Sequence, residues 1–322
     1  MAGNVANTRG VFKALGGQQP DTKKKAGIDV SSYRLFCFGL GFSALAFARR
    51  VQAQGWHVAG TCRTAEKADA LKAQGIEAFV FGDAPLDDAQ TALAGTTHLL
   101  ASVPPGQTGD PVLQMHSADI AAISTLQWIG YLSTTGVYGD RQGGWVNETS
   151  MLVPSTDRGK RRVTAELGWG DLAVEAGVAL HVFRLAGIYG PGRNQLESLR
   201  KGTAKRIDKQ GQVFSRIHVD DIAQVLVAAA ISDAPSQAFN VCDDEASPPQ
   251  EVVAHAATLL GLDPPPLVPY DEADMSPMGR SFYSESKRVK NDRIKDVLGV
   301  RLKHPTYREG LKALLDAGEG HG

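Results

Sequence analysis

The sequence predicts an α/β protein built on a doubly wound parallel sheet, with a smaller C-terminal α+β lobe. Three observations predict it. From Arg34 onward, short apolar runs rich in Val, Phe, Ile and Leu alternate with longer amphipathic stretches, the pattern of repeated β-α units. A glycine turn, Gly39-Leu40-Gly41, follows the first run directly. The 322 residues, 43% of them hydrophobic, suffice to bury one large core with a lobe attached.

The first strand is expected at Arg34 to Phe38, followed by a helix over 43–54 that Gly55 ends and a second strand from Trp56 to Thr61. Thr64 offers its hydroxyl as the cap of a further helix, which Gly75 closes. A third strand runs through Ala78 to Phe81, and a fourth through His98 to Val103, where Pro104-Pro105 stops it. The fifth covers Trp128 to Ser133 and the sixth Leu180 to Leu185.

Past Gly190 the regularity loosens. A strand is expected near Val213 to His218, then a helix opening at Asp220-Asp221 with Asp221 and Gln224 at capping spacing. Ser247-Pro248-Pro249-Gln250 reads as an N-cap Ser, Pro at the first helical position and Gln three residues on. The division that follows is an N-terminal arm over 1–31, a nucleotide-binding domain over 32–190, and a lobe over 191–322 from which 213–245 returns to the core sheet.

Charge narrows the partners. Lys and Arg total 34 against 35 acidic residues, which leaves no basic field for nucleic acid or anionic lipid, so a small molecule is the expected partner. Cys37, Cys62 and Cys242 lack metal-ligand spacing and read as core thiols of a reducing compartment. No apolar stretch reaches a membrane span, and a cytoplasmic location is expected. Residues 1–31, with Lys23-Lys24-Lys25, read as a flexible arm; a transit peptide is the alternative, opposed by Asp21, Asp29 and the scarcity of Ser. No metal is expected, because the adjacent Asp243, Asp244 and Glu245 point to opposite faces of a strand.

The loop Gly39-x-Gly41-x-x-Ala44 carries the functional signal. Gly39 makes a tight turn, Gly41 lets backbone approach a pyrophosphate, Ala44 permits close helix packing, and the next helix aims its N-terminal amides at the phosphates. This is the dinucleotide fingerprint of a Rossmann fold. Phe42 and Ser43 within the loop, and Ser102 at the end of the fourth strand, complete the expected contacts. Where a NAD site places an acidic residue about 20 positions on, this chain has Thr61-Cys62-Arg63-Thr64. A guanidinium there suits a 2′-phosphate, so Arg63 indicates NADP, with NAD as the alternative and a solvated surface charge as the plain reading. Asp83, after the third strand, is placed to meet the adenine, or else caps a turn.

Three further blocks, Tyr131-Leu132-Ser133-Thr134-Thr135-Gly136-Val137-Tyr138-Gly139-Asp140, Arg184-Leu185-Ala186-Gly187-Ile188-Tyr189-Gly190-Pro191-Gly192-Arg193 and Ile217-His218-Val219-Asp220-Asp221-Ile222-Ala223, occur in the order and at the spacing of a known family. Together with the glycine loop, they resemble the extended short-chain dehydrogenases/reductases, the NAD-dependent epimerases and dehydratases, over roughly Arg34 to Leu315. The resemblance implies that Thr134 polarises a substrate oxygen, the plain alternative being a strand-end hydroxyl that caps backbone, and that two long helices of the first half can form a homodimer face.

One part of the pattern is missing. The family's general acid/base is a Tyr followed four residues later by a Lys, upstream of an Ala-Glu helix; here Ala165-Glu166 is present, but Arg158 and Arg162 stand at the two positions, and no tyrosine occurs between Tyr138 and Tyr189. A guanidinium stays protonated and cannot serve as the base, so Arg158, with Lys160, Arg161 and Arg162, is expected to bind a substrate anion or else to form a solvated basic helix start, and Tyr189 and Arg193 are further expected substrate contacts. The candidates for moving the proton are Tyr138 first, also readable as a ring packed under the loop, then Tyr189 and His218, the last also readable as a structural residue before its helix. Two functions follow: an NADP-dependent oxidoreductase or epimerase acting on a hydroxyl or carbonyl carbon, with a nucleotide sugar as the substrate class the resemblance implies, or a non-catalytic NADP(H)-binding redox sensor.

Overall fold

The computed structural model describes residues 31–320, so the expected N-terminal arm lies, but for Ser31, outside the described residues. In chain order the elements are β1 (Arg34–Phe38), α1 (Phe42–Gln52), β2 (His57–Cys62), α2 (Ala65–Lys72), β3 (Glu77–Val80), α3 (Ala89–Leu93), β4 (His98–Ala101), α4 (Pro111–Ala121) and β5 (Trp128–Thr134). A 3₁₀ turn (Thr135–Tyr138) leads to β6 (Trp145–Val146), α5 (Asp157–Ala176), β7 (Ala179–Leu185), β8 (Gly187–Tyr189), α6 (Gln195–Arg200), β9 (Arg206–Asp208) and β10 (Arg216–His218). Then follow α7 (Val219–Ala230), β11 (Gln237–Val241), α8 (Pro249–Leu259), β12 (Leu267–Pro269), α9 (Pro277–Tyr283), β13 (Arg288–Val289), α10 (Asp292–Asp296) and α11 (Tyr307–Asp316).

Seven strands form one parallel sheet in the order β11-β7-β5-β4-β1-β2-β3. The sequence of β1 shows how it becomes the middle of two layers. Leu35 and Cys37 enter the cluster covered by α1, α2 and α7, while Phe36 and Phe38 enter the cluster covered by α3, α4 and α5. Alternation of that kind, apolar on both faces, is what a doubly covered parallel sheet requires. The chain leaves β1 toward β2 and β3, then returns to β4 on its other side, so a crevice opens at the carboxyl ends of β1 and β4, where such folds bind ligands.

Helix starts follow local chemistry. The Thr64 hydroxyl accepts from the Lys67 amide at 3.3 Å and starts α2. Asp110 caps α4 at the Val112 and Leu113 amides and also accepts from Trp169 Nε1 at 3.0 Å, which ties α4 to α5.

Two expected caps are corrected. The cap of α7 is His218, whose Nδ1 accepts from the Asp220 amide at 3.1 Å; Asp221 instead accepts from the Lys303 and His304 amides at 2.6 and 3.0 Å. Helix α8 begins one residue later than expected, behind Pro248, and Ser247 is drawn away by a backbone bridge to Phe214.

The C-terminal segments add three short parallel pairs, β8 with β10, β9 with β12 and β6 with β13. Of residues 213–245, β11 enters the main sheet, whereas β10 pairs with β8 outside it. A separate cluster of Tyr189, Leu196, Val252, Ala256, Tyr307, Leu311 and Leu314 holds α6, α8 and α11 together. No described helix is long and apolar enough to cross a membrane.

Candidate active site at the carboxyl end of the sheet

The glycine loop is tied down at its first residue and open at its third. Gly39 takes φ +89°, its amide donates to Thr61 Oγ1 at 2.8 Å, and a side chain there would stand 2.9 Å from Ser102 Oγ. Ser102 donates to the Gly39 carbonyl and so braces the turn. Gly41 is the cap of α1, no side chain caps the helix, and a Cβ at Gly41 would meet nothing within 4 Å. Ser43 and Ala44 are buried beneath the turn, and Phe42 is 38% exposed. Open space in front of an uncapped helix start fits the phosphates of a dinucleotide.

Arg63 stands exposed just past β2, and its guanidinium makes no hydrogen bond among the described residues. Lys67, which the sequence reading passed over, reaches across and donates from Nζ to the Leu40 carbonyl at 2.9 Å. Asp83 is exposed past the end of β3.

Thr134 ends β5. Its Oγ1 accepts from the Gly136 amide at 3.1 Å, an arrangement that leaves the hydroxyl proton free to donate. Beyond it lies a cavity of about 540 Å³, lined by Thr134, Arg158, Tyr189, Arg193, Phe282 and Lys287 among others, with wall residues from β5, α5, β8, α8, α9 and α11.

Tyr138 is not in that wall. Its ring is fully buried, its phenol donates to Asn240 Oδ1 at 2.6 Å and accepts from Arg184 Nη1 at 3.0 Å, and burial pushes its pKa up to about 12. The ring is thus packed under the loop, the alternative to its acid/base role: a phenol sealed in a satisfied network gives up no proton near neutral pH. The network continues through Glu166, which pairs with Arg184 at 2.8 Å and accepts from Ser133 Oγ at 2.5 Å. Glu166 is therefore the buried counter-charge that holds the end of β5.

The two arginines separate. Arg162 is half-buried, donating from Nη1 to the Tyr131 phenol at 3.1 Å and to the Leu132 carbonyl. Arg158 is exposed at the start of α5, its guanidinium carbon 4.7 Å from the centre of the Phe282 ring. Arg193 lies similarly over Phe42 at 5.9 Å.

Tyr189 lines the cavity, but its buried hydroxyl has no hydrogen-bond partner among the described residues and packs against Gly310, where no side chain fits; burial pushes the phenol's pKa far up. His218 lies outside the cavity wall, 3% exposed. With Asp220 and His304 it brings three ligand-type atoms within 4.8 Å of one another, a cluster the sequence reading did not anticipate. Lys303 Nζ sits 3.2 Å from Asp220 Oδ2, so the carboxylate already has its cation. Of the 243–245 acids, Asp244 pairs with Lys295 at 2.6 Å and Glu245 with Arg308.

A second pair in the wall, Lys287 with Glu285 at 2.6 Å, had no sequence signal, because both residues lie in a loop far from the recognised blocks.

No family model matches the chain. Over 238 residues it is 30% identical to Protein YeeZ of Escherichia coli (strain K12), covering 70% of this chain and 84% of that one. A functionally unknown conserved protein from Silicibacter pomeroyi DSS is 51% identical, with TM-score 0.82, over 89% of this chain and 99% of that one. UDP-glucuronic acid 4-epimerase from Bacillus cereus, in complex with UDP-glucuronic acid and NAD, superposes with TM-score 0.70 at 14% identity, over 88% of this chain and 98% of that one, which establishes a common fold.

Proposed function

From the premise that the chain belongs to one family with Protein YeeZ and shares the fold of the NAD-dependent epimerases, we propose that it is an NADP-dependent oxidoreductase or epimerase of the extended short-chain dehydrogenase/reductase type acting on a hydroxyl or carbonyl carbon of a small anionic molecule, a nucleotide sugar being the first class to screen. The observation that carries this reading is Thr134: its hydroxyl keeps a free proton at the edge of the crevice, with the cavity of about 540 Å³ beyond it.

Gly39, Gly41, Phe42, Ser43 and Ala44 would hold the dinucleotide, with Ser102 bracing the turn, Arg63 meeting a 2′-phosphate and Asp83 the adenine edge. When bound, the nicotinamide would supply or accept a hydride, and the accompanying proton would be exchanged with solvent water in the cavity, since the guanidinium groups at 158 and 162 cannot carry it. Thr134 orients the substrate oxygen by donating its hydroxyl proton, and the free guanidinium of Arg158 receives the substrate's anionic group, with Tyr189 in the same wall. Arg162 fixes the end of β5 through the Leu132 carbonyl and so holds Thr134 in register.

The experiment is a panel of nucleotide sugars and small carbonyl compounds followed by nicotinamide absorbance. Turnover that falls in Thr134→Val while cofactor affinity stays level supports the reading; undiminished turnover in that variant removes Thr134 from the mechanism.

One observation favours a second reading, a non-catalytic sensor of NADP(H). Guanidinium groups at 158 and 162 cannot exchange protons near neutral pH, and Tyr138 is sealed away. That reading predicts no turnover, and a protein partner whose affinity differs between NADPH and NADP; equal affinity in both states would sink it.

A further inference from the structure

Arg193 faces the glycine loop as well as the cavity. Its guanidinium carbon lies 5.9 Å from the centre of the Phe42 ring, and Phe42 is the first residue of α1, exposed at the mouth of the loop. A tight turn holds it there. Gly190 and Arg193 exchange backbone hydrogen bonds of 3.1 and 3.0 Å, with Gly192 between them at φ +68°.

The turn is fixed from outside as well. Glu319 accepts from the Gly192 amide and from Asn194 Nδ2, each at 2.9 Å. A side chain at Gly190 would stand 3.2 Å from the Phe42 ring, so the turn presses directly on the loop. The nearby carboxylate is thus engaged with the turn, and the Arg193 guanidinium has no carboxylate partner among the described residues.

An exposed guanidinium over an aromatic face is weakly held, and a bidentate anion competes for it effectively. The uncapped start of α1 presents backbone amides at the same mouth. Two positive features therefore meet where the glycine loop faces the C-terminal segments, and among the described residues no carboxylate pairs with Arg193.

We infer that Arg193 clamps the pyrophosphate of the dinucleotide against the glycine loop, so that the turn after β8 completes the cofactor site. This rests on the dinucleotide reading above and moves Arg193 from substrate binding to cofactor binding. The ligand class it recognises is a diphosphate diester. A small substrate in the cavity would then touch a residue that the cofactor has already ordered.

The test titrates the full chain, wild type and Arg193→Gln, with NADPH, with 2′-phospho-ADP-ribose and with 2′-AMP, which lacks the pyrophosphate. Loss of one charge-assisted contact weakens NADPH and 2′-phospho-ADP-ribose by about tenfold or more. Affinity for 2′-AMP stays within about twofold, Arg193→Lys recovers part of the loss, and the melting temperature is unchanged because the side chain is exposed. Equal NADPH affinity in wild type and Arg193→Gln overturns the inference, as does an equal loss for 2′-AMP. Failure of the wild type to bind any of the three, or NADH, overturns the dinucleotide reading itself, and the inference with it.

Discussion

Glu166 and Arg184 form a bidentate ion pair sealed between α5 and β7, with Nη2 to Oε2 at 2.8 Å and Nε within 3.2 and 3.3 Å of the two carboxylate oxygens. Arg184 is fully buried, and although burial alone disfavours its charge, the Glu166 carboxylate outweighs that and keeps the guanidinium protonated. Because Glu166 also accepts from Ser133, the residue before Thr134, the pair sets the position of the strand end that faces the crevice.

Breaking that pair from one side leaves a buried charge without a partner. Arg184→Met alone is expected to cost about 3–5 kcal/mol of unfolding free energy, measured by urea denaturation. The double variant Glu166→Leu with Arg184→Met should be less destabilised than Arg184→Met alone, since no orphan charge remains. A double variant worse than the single would mean that the pair is valued for something other than mutual neutralisation.

The two loop glycines should fail differently. In Gly39→Ala, a positive φ combines with a contact 2.9 Å from Ser102, so the melting temperature falls together with cofactor binding. Gly41→Val meets open space and has φ −83°, so the protein folds with near-normal stability and loses dinucleotide affinity through blocked approach. Retained affinity in Gly41→Val would show that nothing needs to come close there.

Much of this could be read in the sequence. The six main-sheet strands from Arg34 to Leu185, β1–β5 and β7, are short, mostly apolar and punctuated by Gly, Pro or a capping Thr, and each signal is local. The candidate cavity was not legible, because its wall draws residues from Thr134 to Leu311 and no local pattern reports which distant segments meet. Tyr138 misled for the same reason: its neighbours on the chain suggested a strand-end site, while its partners, Arg184 and Asn240, lie 46 and 102 residues away. Two cap signals in the lobe were readable and missed, Ser276 before Pro277 and the capping box of Thr306 with Glu309.

Thr134 offers a graded test. Thr134→Val removes the donor and keeps the shape, and is expected to lower kcat by about a hundredfold with little change in cofactor affinity; Thr134→Ser keeps the hydroxyl and should retain most activity. Equal loss in both variants would point to packing of the methyl group instead of the proton.

Two core histidines should remain neutral well into the acid range. His181 accepts from Trp128 Nε1 at 2.9 Å through Nδ1, which leaves Nε2–H to donate to the Ala234 carbonyl at 3.1 Å; burial holds its pKa down at about 4, and that of His98 likewise. The unfolded chain takes up these protons below about pH 6.5 and the folded chain does so only near 4, so each group removes stability as pH falls through that window, by about 1.4 kcal/mol per pH unit. Imidazole NMR signals of both should show no titration down to pH 5; a midpoint near 6.5 for either would contradict its burial.

The most direct measurement is a fluorescence titration of the purified protein with NADPH and NADH, repeated with Arg63→Ala. NADPH should bind more tightly than NADH, and Arg63→Ala should weaken NADPH by about tenfold or more while leaving NADH nearly unchanged. Preference for NADH, or an Arg63→Ala variant indistinguishable from wild type, would contradict the NADP assignment; no binding of either cofactor would make the glycine loop a packing feature and remove the basis for catalysis at Thr134.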